Sequence, residues 1–142
     1  MTNESITRNQ AQEKTLLALY AVLTYLDMKE EVDVESIVSG IYEAPYAECP
    51  YFTKAVVIAV LKNLNSEIEA YNALMKKWTF DRLNRVEQAL LLLSYSQYFY
   101  VEKEVEKAAV INVAVVLAKK YLEAADYKFV NAILDKVLTR EH

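Results

Sequence analysis

The chain has 142 residues, with 16 Lys+Arg against 20 Asp+Glu for a net charge of −4, and 54% of it is hydrophobic. That length and apolar content suit one compact domain whose core forms without disulfides or metals. A single glycine, two prolines, one cysteine and one histidine argue against hairpin-rich sheets, glycine-rich phosphate loops, disulfides, multi-thiolate zinc sites and histidine-based triads.

The stretch from Met1 to Gln12 is polar and has no basic segment leading into an apolar one, so no secretory signal is expected. No apolar run approaches the roughly 20 residues of a membrane span, and the expectation is a cytoplasmic protein. From about Thr7 to Leu26, Leu16, Leu19, Tyr20, Leu23 and Leu26 recur at helical spacing and predict a first helix. Residues 26–50 then hold seven acidic side chains against Lys29 alone, and the rest of the chain is mildly basic.

Within that acidic segment, Asp33 is placed to cap a short second helix that buries Val34, Ile37, Val38 and Ile41 and ends near Glu43. Pro45 and Pro50 break the chain before Tyr51. A long third helix follows, with one seam through Val57, Leu61, Leu64, Ile68, Tyr71, Met75 and Trp78.

Trp78 to Asp81 interrupts the pattern, and Asn84 with Glu87 has the form of a capping box opening a fourth helix to about Tyr100. Its Leu90 to Leu93 run is apolar nearly all round, which predicts burial on several sides. A fifth helix covers about Lys107 to Tyr121, and Asp126 is read as the cap of a sixth reaching about Thr139. The expectation is an all-α fold of about six to seven helices in two packed subdomains. Residues 1–142 form a single domain, with an N-terminal half at about 7–78 and a C-terminal half at about 79–142.

Side chains suited to chemistry are scarce. Glu102, Glu104 and Glu106 have no histidine, metal motif or nucleophile beside them and read as solvated, so no enzyme, metal site or cofactor is expected. Tyr95 and Tyr98, three residues apart, share a helix face suited to packing or to a protein interface.

The runs Trp78-Thr79-Phe80-Asp81-Arg82-Leu83, Val86-Glu87-Gln88-Ala89, Ile111-Asn112, Leu117-Ala118-Lys119-Lys120-Tyr121 and Phe129-Val130-Asn131-Ala132-Ile133-Leu134-Asp135 resemble, in order and spacing, the NusB family. Ala18-Leu19-Tyr20 is similar to that family's first helix. The resemblance implies a non-enzymatic, bacterial transcription antitermination and termination factor that binds boxA-type RNA together with the ribosomal protein NusE. It assigns RNA binding to Arg8, Lys14, Lys119, Lys128 and Phe129, and contact with the protein partner to Tyr20 and Glu87. A stand-alone factor is expected, since 142 residues leave no room for the methyltransferase fused to some domains of this kind.

The chain departs from the family pattern at several points. Gln10 and Gln12 stand where arginine is common, Val113 and Ala125 where an acid is common, Leu122 where a glycine is common and Leu92 where an arginine is common. Two alternatives therefore stay open beside the main reading: a divergent relative that keeps its protein partner with weak or lost RNA binding, and self-association as a homodimer.

Overall fold

The computed structural model describes residues 7–140, and among these there are helices and no strand. The polar start at residues 1–6 and the single histidine, His142, lie outside the described residues. Six α-helices follow in order: α1 (Arg8–Asp27), α2 (Val34–Tyr42), α3 (Tyr51–Leu74), α4 (Arg85–Ser96), α5 (Lys107–Tyr121) and α6 (Ala124–Val137). Two short 3₁₀ turns, Tyr46–Glu48 and Phe80–Arg82, precede α3 and α4, and α4 runs directly into a π turn at Gln97–Val101.

Local side-chain chemistry sets the starts of α1, α2 and α4. Thr7 caps α1, its hydroxyl accepting from Gln10 N–H at 3.1 Å while the Gln10 side chain accepts from Thr7 N–H at 2.9 Å. Asn84 and Glu87 repeat the same reciprocal box at α4. Asp33 caps α2 through Ser36 N–H, and these bonds hold its carboxyl below the usual range. Each box satisfies two backbone N–H groups that a helix start would otherwise leave free.

α6 departs from expectation at its first turn. Its N-cap is Glu123, without a side-chain cap bond, and Asp126 lies inside the first turn. Ala124 and Ala125 carry the helix one turn earlier because alanine has the lowest helix cost, and Asp126 then complements the positive helix end.

α3 also ends earlier than its seam suggests. Met75 is extended at φ −100°, and Trp78 is 58% exposed rather than packed. The Asn72 side chain accepts from Phe80 N–H at 2.7 Å, which turns the chain back after Leu74 and brings Phe80 into the core beside Tyr71. Inside the helix, Asn63 has φ −121° and donates from its own side chain to Ala59 C=O, producing a kink. The most deeply buried face of α3 is accordingly Thr53, Val56, Val57, Val60, Glu67 and Tyr71.

α4 lies at the centre, touching α1, α3, α5 and α6, and Leu90 to Leu93 are all buried. Tyr71 donates its hydroxyl to Leu91 C=O at 2.7 Å across the α3–α4 contact. The π turn is held by Arg140, whose guanidinium donates to the carbonyls of Tyr98, Glu102 and Val105 and lies 3.8 Å from the Tyr98 ring centre. Leu92 is fully buried and Val113 half-buried, so the apolar residues at these two positions sit in or against the core. Leu122 ends α5 at φ −126°, an extended conformation that needs no glycine.

Candidate functional site

Arg8 opens α1 and forms an ion pair with Glu102 at the end of the π turn, its guanidinium 5.0 Å from the Phe52 ring centre. Glu102 also accepts from Gln97 at 2.7 Å, so it is a bonded residue rather than the solvated one expected from its sequence surroundings. Gln10 is engaged in the α1 capping box. Gln12 is buried and donates to Gln97 at 3.4 Å. Neither glutamine is therefore a vacant phosphate position.

The expected RNA residues divide among three places. Lys14 turns toward α2, donating to Ile41 C=O at 3.2 Å, with its ammonium 5.4 Å from the Tyr42 ring centre. Lys119 and Lys128 are exposed at the α5–α6 junction, where Lys119 lies 5.3 Å from the Tyr127 ring centre. Phe129 is half-buried against the core beside them. Arg8 is held at the π turn.

Between α1 and the α5–α6 junction, Glu13 accepts from Lys120 at 2.6 Å and from the Tyr121 hydroxyl. Those two bonds, Lys120 first, hold the Glu13 carboxyl below the usual carboxylate range, and Glu13 in turn raises Lys120 and Tyr121. Sequence alone gave no sign of this contact, because its partners stand more than 100 residues apart.

The residues assigned to a protein partner lie on two helices that pack together, Tyr20 on α1 and Glu87 in the first turn of α4. Tyr20 is 41% exposed, and the Arg85 guanidinium lies 5.7 Å from its ring centre. Arg85 also donates to Asp27 at 3.0 Å and to Thr24 Oγ1 at 3.2 Å, joining the end of α1 to the start of α4. Glu87 is 5% exposed, and burial raises its carboxyl above the usual value despite the capping bonds.

Beside this cluster an open groove of about 490 Å³ runs between α1, α3 and α4, with Leu23, Leu26, Leu64, Ile68 and Leu83 among its walls and Asp27 and Arg85 on its margin. Exposed leucine surface with a tyrosine and a charged rim has the make-up of a protein-docking face. Arg85 carries no motif of its own in the sequence. Its one legible clue is its place two residues before Glu87.

Among the described residues no cluster of His, Cys, Asp and Glu could hold a metal ion, and no helix is long and apolar enough to cross a membrane. The sequence profile of the NusB family matches residues 9–139. Transcription antitermination protein NusB of Macrococcus caseolyticus is 26% identical over 133 residues, covering 94% of this chain and 97% of that protein. The protein of the same name from Lactiplantibacillus plantarum is 28% identical, covering 96% and 98%. A solved structure of T. maritima NusB superposes with a TM-score of 0.78 at 22% identity, over 97% of this chain and 92% of that one, which shows a shared fold. With nearly every described residue inside the profile match and the helical architecture shared, the chain belongs to the NusB family.

Proposed function

We propose that this chain is a cytoplasmic transcription antitermination factor that binds boxA-type RNA together with the NusE ribosomal protein. The observation that carries the reading is the Tyr20–Arg85–Asp27 cluster beside the groove between α1, α3 and α4. It offers apolar area, an amphipathic ring and charges of both signs, the combination that anchors and orients a folded partner. Lys119, Lys128 and Phe129 at the α5–α6 junction, with Arg8 at the start of α1, supply the cations and ring for RNA.

A second reading, a partner-binding relative with weakened RNA affinity, is favoured by two contacts. Glu102 neutralises Arg8, and Glu13 neutralises Lys120. Fewer free cations release fewer counterions and bind RNA less tightly.

Titrating labelled boxA-type RNA with the protein, with and without NusE and at several salt concentrations, separates the two. Sequence-selective, salt-sensitive binding supports the first reading, and NusE capture without RNA binding supports the second. Failure of both partners to bind overturns both. Glu87→Gln keeps the capping box and removes the charge, so it should retain stability while weakening NusE capture. Unchanged capture would remove Glu87 from the partner face.

A further inference from the structure

On the outer face of α3 a second groove, of about 500 Å³, runs between that helix and the end of the π turn. Two backbone irregularities shape it: the Asn63 kink lies in its wall, and the π turn supplies Tyr100 and Val101 opposite. A π turn at the end of an otherwise regular helix is a recurrent mark of a functional site. Beneath the pair, Glu67 accepts from Ser96 at 2.5 Å, tying α3 one turn after its kink to the residue just before the π turn.

The side chains lining this groove are unlike those of the groove beside Tyr20. Tyr51 is 77% exposed and Tyr100 is 39% exposed, with the Tyr100 ring also 6.1 Å from that of Tyr95, so two tyrosines reach solvent here. Lys62, which is exposed, lines it as well, as does Lys54, whose ammonium donates to Tyr46 C=O at 3.2 Å and lies 4.9 Å from the Tyr46 ring centre; no carboxylate lines it. Neither lysine has an Asp or Glu three or four residues away along the helix, so no neighbour on its own helix face offsets its charge. In a chain of net charge −4, this is a locally cationic slot with aromatic sides. Its floor includes Ala55 and Ala59, whose small side chains leave room for a flat ring.

We infer that this groove is a second tract for single-stranded RNA, in which Tyr51 and Tyr100 stack on bases while Lys62 faces phosphates and Lys54, held at Tyr46, adds its positive charge nearby. The inference rests on the RNA reading proposed above and extends it to the far side of Arg8, whose guanidinium lies against Phe52, the residue next to Tyr51. Stacking rings with lysines and no acid is the arrangement that holds single strands without reading their sequence. Protein interfaces are instead depleted in lysine, which sets this groove apart from the leucine-lined one.

The test measures anisotropy of a labelled boxA-type RNA and of an oligouridylate of equal length, against the full chain and its Tyr51→Ala, Lys62→Ala and Lys128→Ala variants, over a range of salt. NusE capture is recorded in parallel. Tyr51→Ala should weaken both RNAs by about 5- to 100-fold, the effect of losing one stacked base. Lys62→Ala should reduce the slope of log affinity against log salt by about 0.7. Both side chains are exposed, so thermal melts should match the parent chain.

If Tyr51→Ala and Lys62→Ala bind as the parent does while Lys128→Ala is weakened, the second tract is overturned and the RNA reading survives. Loss of NusE capture with RNA binding unchanged makes the groove a protein face and overturns the inference. If the parent chain binds neither RNA, the RNA reading and the second tract fall together.

Discussion

Glu13 of α1 and Lys120 of α5 form a hydrogen-bonded ion pair, 2.6 Å from Nζ to Oε2, with the Tyr121 hydroxyl donating to the same carboxylate oxygen. The pair places a carboxylate between α1 and the α5–α6 junction, on the surface proposed to meet phosphates. It thereby withholds Lys120 from an anionic ligand.

Glu13→Gln should release that lysine. RNA affinity is expected to rise by about two- to fivefold, the effect of removing one nearby like charge in water. The salt slope should steepen by about 0.7. Because Lys120 is exposed and Glu13 partly so, folding stability should change by less than about 1 kcal/mol. Filter binding at several salt concentrations checks the first two, and unchanged affinity would place Lys120 away from the bound RNA.

Glu67 makes stability depend on pH in an unusual direction. It is fully buried, one of its oxygens has no hydrogen-bond partner among the described residues, and burial raises its carboxyl from 4.5 to about 8, with the Ser96 bond opposing. The folded state therefore holds a proton that the unfolded chain gives up. This contribution is fully present below about pH 4.5 and is lost as pH rises to about 8, by up to about 1.4 kcal/mol per pH unit. Glu67→Gln should flatten that slope and leave the variant more stable than the parent at pH 8. Urea midpoints across this range measure it, and parallel curves for the two proteins would refute it.

Arg140, three residues past the end of α6, ties that end of the chain to the π turn. Its guanidinium satisfies three carbonyls of the π turn and the loop after it, and it lies over the Tyr98 ring. Arg140→Ala should cost about 1–3 kcal/mol, since part-buried carbonyls lose charged donors. Amide hydrogen exchange should accelerate at residues 98–105 while α1 and α3 keep their protection. Uniform acceleration over the whole chain would show that the clamp serves global rather than local stability.

The Tyr71 hydroxyl offers a smaller, cleaner deletion. It is fully buried and donates to Leu91 C=O across the α3–α4 contact. Tyr71→Phe keeps the ring beside Phe80 and Tyr95 and should cost about 1 kcal/mol, read as a lower denaturation midpoint with unchanged slope.

What the sequence revealed follows the range of the interactions involved. The starts of α2 and α4 were legible at Asp33 and Asn84 because a cap and its target lie three residues apart. The burial of Leu90 to Leu93 was legible because an all-round apolar run has no solvent face to offer. The end of α3 was not, since it depends on Asn72 reaching forward eight residues to Phe80.

The candidate site was less legible for the same reason. Arg8 and Lys14 were assigned by the family resemblance, yet their partners are Glu102, 94 residues away, and the Ile41 carbonyl on α2. Gln10 looked like a lost arginine, and its capping role appears only once the helix is built. Tyr100 was expected only as the end of the fourth helix, and the π turn leaves it partly exposed.

Cys49, at the corner between α2 and α3, is 2% exposed, its thiol points at the carbonyls of Val38, Ala44 and Pro45, and burial pushes it up from its ordinary pKa. A thiol that is both hidden and protonated is inert toward alkylating reagents until the corner separates. As the chain's sole cysteine, it makes the molecule its own stopwatch. The rate at which a reagent captures Cys49 counts the openings of the α2–α3 corner one by one, without any label being added to the native fold.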